Sequence, residues 1–322
     1  MSKILILDGD SVAYKCAAAA EKRSINVLHK PSSKTKVFKH RTEFKKSMLD
    51  RGKEITEDYE VLDVQESEPL EYVLSTIKNH IRRITDHVQP DELIIYAGEQ
   101  FNFRYELPLP KPYKGNRSAN LRPVHLGKAK EFIRNKYKGS EAVGFEVDDA
   151  CCIDAYSALH RGDKAIMYRY EKDQDSFNGV TLLLDTAMGF EEKLIPNIGS
   201  LTYNKSTVKG DGLKFLAWQW TCYDDSDNYC AYDLSKTKFG GKAGYDLLKD
   251  CNTEQEILLA VKKQFQTFYP DKFEYTCHKG EQHEADWKCM MDLYFRCARM
   301  MRQNDDPLDY RILLDQHGVE LD

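Results

Sequence analysis

What this sequence lacks narrows what it can be. No apolar run approaches the length of a membrane span, so the chain reads as non-membrane. The opening MSKILILDGD carries only a short apolar run that ends in two acids, the pattern of a strand and not of a signal peptide. There is no internal repeat and no low-complexity segment. There is also no CxxC pair among the nine cysteines, an odd number in which Cys151 and Cys152 are adjacent, and this favours reduced thiols in a cytoplasm. The spacing of Cys277, His283 and Cys289 fits no standard zinc site. What remains is a 322-residue chain, 41% hydrophobic, long enough for two domains or for one large α/β domain with insertions.

The net charge of −5 conceals a strong segregation. Between Lys22 and Lys53 there are eleven Lys/Arg against two acids, and between Phe101 and Lys138 ten against two. A solvated face explains many such runs. Two of them beside several carboxylate clusters suggest a phosphate-backbone track leading to a metal site.

The most informative acidic stretch is Gly144–Arg161. Cys152, Ala155, Tyr156 and Leu159 form a helical stripe, and Glu146, Asp148 and Asp149 stand at its mouth. Asp148 or Asp149 can cap that helix. One carboxylate suffices for a cap, whereas three held together repel unless a cation sits between them.

Strands are expected at 3–8, 91–97, 164–168 and 180–185, with helices at 11–20, 67–84 and 124–137 between them. This alternation argues a mostly parallel sheet flanked by helices. Residues 24–64 read as a basic insertion, with a hairpin around Pro31, a basic helix from Arg41 and a short strand from Tyr59. Prolines 108, 110 and 112 exclude a regular element, so 100–138 reads as a basic loop or arch leading into a helix. Its interleaved cations and aromatics suit single-stranded nucleic acid, or simply anchor the loop. Beyond about residue 200 the pattern turns helical. The expected division is therefore 1–200 and 201–322. Acids follow successive elements at Asp8, Glu99, Glu146/Asp148/Asp149, Glu171/Asp173 and Asp224/Asp227. Strand ends of a parallel sheet converge on one edge, where such clusters call for divalent cations, ideally two roughly 4 Å apart.

This order of motifs resembles the metal-dependent 5′-nuclease family of flap endonucleases, the 5′-nuclease domain of bacterial DNA polymerase I and phage 5′–3′ exonucleases, with the phage enzymes most similar. LDGDSVAYKCAAAAE resembles the first motif. Glu99 followed by Phe103-Arg104 and Tyr113-Lys114-Gly115-Asn116-Arg117 resembles the acid–FR–YKxNR block, and Glu146-Val147-Asp148-Asp149 the ExDD motif. Glu171-Lys172-Asp173 stands where the family has D-K/R-D, and Asp224–Asn228 where it has GDxxDN. Gly240-Gly241-Lys242 looks like the glycine-rich turn that holds duplex backbone, in some members through a monovalent cation such as K⁺. Glu99 and Glu171 are longer than the usual aspartates, and Tyr223 replaces a glycine.

The resemblance implies a PIN-like α/β domain with a C-terminal helical DNA-binding region. It implies phosphodiester hydrolysis from 5′ ends, flaps or nicks of DNA, with RNA paired to DNA as a further substrate class. It implies Mg²⁺ or Mn²⁺ on Asp8, Glu99, Glu146, Asp148, Asp149, Glu171, Asp173, Asp224 and Asp227. Arg104 and Lys114 would act on the scissile phosphate with Asp8, Asp148 and Asp149, while Tyr113, Asn116, Arg117, Arg122, Gly240, Gly241 and Lys242 would bind nucleic acid. Likeness to phage enzymes also implies work in DNA replication, recombination or host-DNA breakdown. Two other classes fit parts of the sequence: a DxD phosphatase built on Asp8 and Asp10, and a nuclease-like protein that binds without cutting.

Overall fold

The computed structural model describes residues 1–119, 121–168 and 179–321. The chain opens with β1 (Lys3–Asp8), which passes directly into α1 (Gly9–Ala19). Gly9 is required there by close approach, because a Cβ at this position would lie 2.5 Å from the Tyr96 carbonyl. The expected basic insertion forms β2 (Glu21–His29), β3 (Lys34–Phe38), α2 (Arg41–Leu49) and β4 (Tyr59–Ser67). These strands make a separate antiparallel sheet in the order β3-β2-β4, with its own small core of Ile25, Val27, Phe38, Phe44 and Met48.

The main sheet continues with α3 (Leu70–Val88), β5 (Glu92–Asn102), α4 (Leu126–Tyr137), β6 (Ser140–Gly144), α5 (Val147–His160) and β7 (Lys164–Tyr168). It ends with β8 (Thr181–Thr186) and β9 (Gly189–Leu194). The strand order is β6-β5-β1-β7-β8-β9, parallel except for β9. The fold class is therefore mixed α/β, with a largely parallel central sheet between helical layers. The two-residue period of β1 splits the core: Leu5 and Leu7 face α1, α3 and α4, while Ile4 and Ile6 face α5. Along α3, Val73, Ile77, Ile81, Ile84 and Val88 are buried, each stabilising the fold by about 1.5–3 kcal/mol.

Beyond residue 200 come β10 (Leu201–Asn204), β11 (Thr207–Gly210), α6 (Gly212–Thr221), β12 (Tyr223–Asp224) and β13 (Tyr229–Cys230). They are followed by α7 (Gly241–Leu248), α8 (Glu254–Phe268), β14 (Phe273–Thr276), β15 (Gln282–Ala285), α9 (Trp287–Ala298) and α10 (Tyr310–Gln316). The helices share a core around Trp220, Phe265, Tyr294 and Phe295. Three small hairpins interrupt what the sequence read as helical only. Among the described residues no helix is long and apolar enough to cross a membrane.

Three boundaries differ from expectation. Strand β5 does not stop at Gly98 but runs on to Asn102, with register irregularities against β6, so Glu99 lies within a strand. Gly98 absorbs the irregularity with φ 96°. The cap of α5 is Glu146, not Asp148 or Asp149. The proline-rich segment is a strap, not an open arch. Leu107, Leu109 and Tyr113 insert into the C-terminal core, the Leu109 carbonyl accepts from His278 N–H (2.8 Å), and Tyr275 Oη donates to the Pro108 carbonyl (2.9 Å).

Candidate active site

At the start of α5, the Glu146 backbone N–H donates to the Asp149 carboxylate (3.0 Å), half of a capping box that fixes how both acids enter the helix. The cations that relieve their repulsion come from the protein. The Arg104 guanidinium forms a two-pronged pair with Asp149 (2.5 and 3.1 Å), and both side chains are 0% exposed. Arg104 also donates to the carbonyls of Arg296 and Arg299, each at 2.9 Å. The Asp149 oxygens accept from four N–H groups, counting Met301 N–H at 2.9 Å. A carboxylate offers about four such places, so Asp149 has none left for a metal and Arg104 has no face toward a phosphate. Arg104 and Asp149, expected at the reacting centre, form a buried ion pair here that ties the turn after β5 and the start of α5 to the end of α9 and the chain just after it.

Glu146, 3% exposed, accepts from Lys114 Nζ (2.5 Å) and Asn102 Nδ2 (2.7 Å). Burial opposes its charge, but Lys114 and then Arg104 overcome that and hold its pKa down to about 2. Lys114 Nζ also lies 3.7 Å from Asp227, so the ammonium bridges the two acidic motifs. Its backbone is left-handed, φ 53°, uncommon for a non-glycine residue, and is held by donation from its N–H to the Asp227 carbonyl (2.8 Å).

Around Asp227 the YKxNR block closes. Tyr113 Oη (2.6 Å) and Arg117 (2.9 Å) donate to its carboxylate, while Asn116 and the Arg117 Nε reach the carbonyls of Asp225 and Ser226. Burial raises Asp227 to about 6; Lys114 offsets this in part, and Glu146 and Asp224 add to it. Asp224 accepts from the N–H groups of Ser226 (2.7 Å) and Asp227 (3.2 Å) and from Gln219, shaping the turn. Glu99 is exposed on one side and accepts from Tyr105 Oη (3.2 Å); partial desolvation at the sheet edge, then the Glu146 charge, raises its pKa.

The structure thus brings Glu99, Glu146, Asp227, Tyr113, Lys114 and Arg117 together. Asp8 ends β1 and caps α1, accepting from Ser11 N–H (3.0 Å) and Ser11 Oγ. Asp148 is half-buried in the first turn of α5. Arg122 is exposed, its carbonyl accepting from Gln65 (2.9 Å). Gly240 caps α7, the Gly241 carbonyl accepts from Trp218 Nε1 (3.0 Å), and Lys242 pairs with Asp246. Glu171 and Asp173 lie outside the described residues. Asp10, the acid the phosphatase reading relied on, accepts from Gly98 N–H (2.7 Å) and Lys130 (2.6 Å).

Sequence reasoning missed Asn102, which orients Glu146, and read Tyr105 as one of the loop's interleaved aromatics and not as the donor to Glu99. It also missed Glu281. Among the described residues, the three-residue group whose potential ligand atoms lie within 4.8 Å of one another is Cys277, Glu281 and His283.

No family model matches the sequence, and no curated protein matches it. Solved structures of bacteriophage T5 proteins are similar in arrangement. One is a 5′-exonuclease mutant, 14% identical, with a TM-score of 0.45 over 99% of this chain and 94% of the other. Another is T5 5′-exonuclease with bound zinc, 15% identical, with a TM-score of 0.44 over 82% and 83%. A third is a T5 flap endonuclease in a pseudo-enzyme–product complex with DNA and metal ions, 14% identical, with a TM-score of 0.43 over 82% and 87%.

Proposed function

We propose that this chain is a metal-dependent nuclease that hydrolyses DNA phosphodiester bonds at or near 5′ ends, with flaps, nicks and RNA–DNA hybrids as candidate substrates. The observation that carries this reading is the junction at Lys114, where Glu146 of the ExDD motif and Asp227 of the second acidic motif meet one lysine of the basic block. Burial first, and then the Glu146 charge, raises the proton affinities of Glu99 and Asp227, and acids gathered in this way suit a hard divalent ion such as Mg²⁺ or Mn²⁺. Asp8, Glu99, Glu146, Asp148, Asp224 and Asp227 are the carboxylates that would hold it, while Asp149 is occupied by Arg104. The expectation of two ions then rests on these residues together with Glu171 and Asp173. A bound divalent ion would supply Lewis acidity toward the phosphate and a water of lowered pKa. Arg117 and Arg122, both exposed, would take phosphate oxygens, while Tyr113 and Asn116 hold the loop that presents them. The start of α7 at Gly240–Lys242 would meet duplex backbone, and K⁺ there belongs to this proposal.

A second reading is favoured by the sealed Arg104–Asp149 pair and by Lys114 occupying the space between Glu146 and Asp227: a protein of this fold that binds nucleic acid without cutting. Duplex, flap and hybrid substrates labelled separately at each end, incubated with Mg²⁺ or Mn²⁺ and with chelator, separate the two. Short products released from the 5′ end only with metal support the nuclease. Retained binding without cleavage supports the binder.

A further inference from the structure

The hairpin β14–β15 carries chemistry that the proposed nuclease does not use. Its register pairs Tyr275 with His283 and Thr276 with Gln282, and the Cys277 N–H donates to the Glu281 carbonyl (2.9 Å) across the turn. Cys277 therefore faces Glu281, with His283 two residues beyond. Side chains two apart share a strand face, so all three lie on one side of the hairpin. Cys277 Sγ lies 3.9 Å from Glu281 Oε2, and His283 Nε2 lies 3.6 Å from the same oxygen. Cys277 is buried, and His283 Nε2 is sealed from solvent with no hydrogen-bond partner among the described residues. An imidazole nitrogen left this way costs stability unless something accepts or donates to it.

We propose that Cys277, Glu281 and His283 form a zinc site, separate from the carboxylate cluster. Thiolate, imidazole and carboxylate are the donors Zn²⁺ takes at about 2.0–2.3 Å, with a fourth tetrahedral place for water, whereas Mg²⁺ and Ca²⁺ avoid sulfur. The donors need to close by about 1 Å to reach tetrahedral spacing, a movement of side-chain torsions at a hairpin tip. Sequence spacing pointed away from this site because it considered Cys289; the ligand that completes the group is Glu281, placed by the turn. The ion's role follows from what the hairpin touches. His278, next to Cys277, donates its N–H to Leu109, Tyr275 bonds Pro108, and Lys279 pairs with Glu106. Zinc at the hairpin tip would stiffen the clamp on the strap that carries Tyr113 and Lys114. Binding deprotonates the Cys277 thiol, so affinity rises with pH.

The test uses the full chain, stripped with chelator and titrated with Co²⁺ and then Zn²⁺. One Co²⁺ per chain should give a thiolate-to-cobalt charge-transfer absorption, which Zn²⁺ abolishes. Cys277→Ser should remove that absorption, and Cys289→Ser should retain it. Glu281→Gln, at an exposed position that leaves the core untouched, should weaken Co²⁺ binding by about tenfold or more. Zinc should raise the melting temperature of the unmutated chain and not of Cys277→Ser. Absence of the absorption at saturating Co²⁺, its persistence in Cys277→Ser, or unchanged affinity in Glu281→Gln would overturn the site.

Discussion

Adjacent acids in the first turn of α5 have opposite fates. Asp149 is fully buried against Arg104, and removing one partner of such a pair leaves an uncompensated interior charge. Asp149→Ala should therefore destabilise the fold by about 3–5 kcal/mol in urea unfolding, read as a lower midpoint. Asp148→Ala, at a half-buried position, should cost about 1 kcal/mol or less. Loss of activity in an Asp149 variant would thus say little about chemistry, and Asp148 is the informative position. Acid sensitivity is also written in single residues. Burial lowers His80, hydrogen-bonded to Tyr168 (2.6 Å), from an ordinary 6.5 to about 4. Below 6.5 the unfolded chain takes a proton that the folded chain refuses, so the stability His80 contributes should decline as pH falls from 6.5 toward 4, while Asp227, raised to about 6, contributes in the opposite sense over that range. Glu146 works in a lower window: its folded pKa of about 2 contributes stability above 4.5 that is lost as pH falls from there toward 2. His80→Gln should shift the first window toward greater stability at lower pH, the slope that Asp227 contributes, and leave the second, as measured by unfolding midpoints across pH. The ExDD and YKxNR residues were legible in the sequence as a group. That Arg104 is sealed inside was not, because its four interior acceptors come from α5 and from chain nearly two hundred residues away.

Among the elements, the alternation of strands and helices up to β8 could be read from hydrophobic periodicity, and so could the basic hairpin-and-helix insertion. Strand β6, SEAVG, was missed because one buried alanine in five residues leaves no apolar signature. Strand β9 was missed because GFEEKL, at the sheet edge, offers only two large apolar residues, of which only Phe190 packs on the core. The strap shows a different limit. Its prolines correctly excluded regular structure, but what pins it is the β14–β15 hairpin, a long-range partner that no local pattern announces. Tyr275→Phe, which removes the hydrogen bond to the Pro108 carbonyl, should cost about 1 kcal/mol. Amide exchange in the strap should accelerate while α3 stays protected. Equal acceleration throughout would mean that the hairpin does not hold the strap locally.

At the scale of the molecule, charge segregation matters more than net charge. The antiparallel sheet and α2 present Lys34, Lys39, Lys45 and Lys46 as exposed side chains on a small core of their own, so replacing them leaves the main sheet intact. Changing all four to Gln should weaken DNA binding and leave the melting temperature nearly unchanged. The salt dependence should fall by about 0.9 in log–log slope for each phosphate that the variant no longer neutralises. An unchanged slope would place the nucleic-acid track elsewhere, along Arg117 and Arg122.

The acids at the sheet edge are proposed to form a divalent-metal centre that cuts DNA. This is tested most directly by comparing the unmutated chain with Asp148→Ala on a 5′-labelled substrate in Mg²⁺, after unfolding curves have established that both are equally stable. A divalent-metal centre there should give short 5′-end products from the unmutated chain, their loss in chelator, and a fall in rate of at least about a hundredfold in the variant. Equal cleavage by both, or none by a stable, metal-supplied chain, would contradict it.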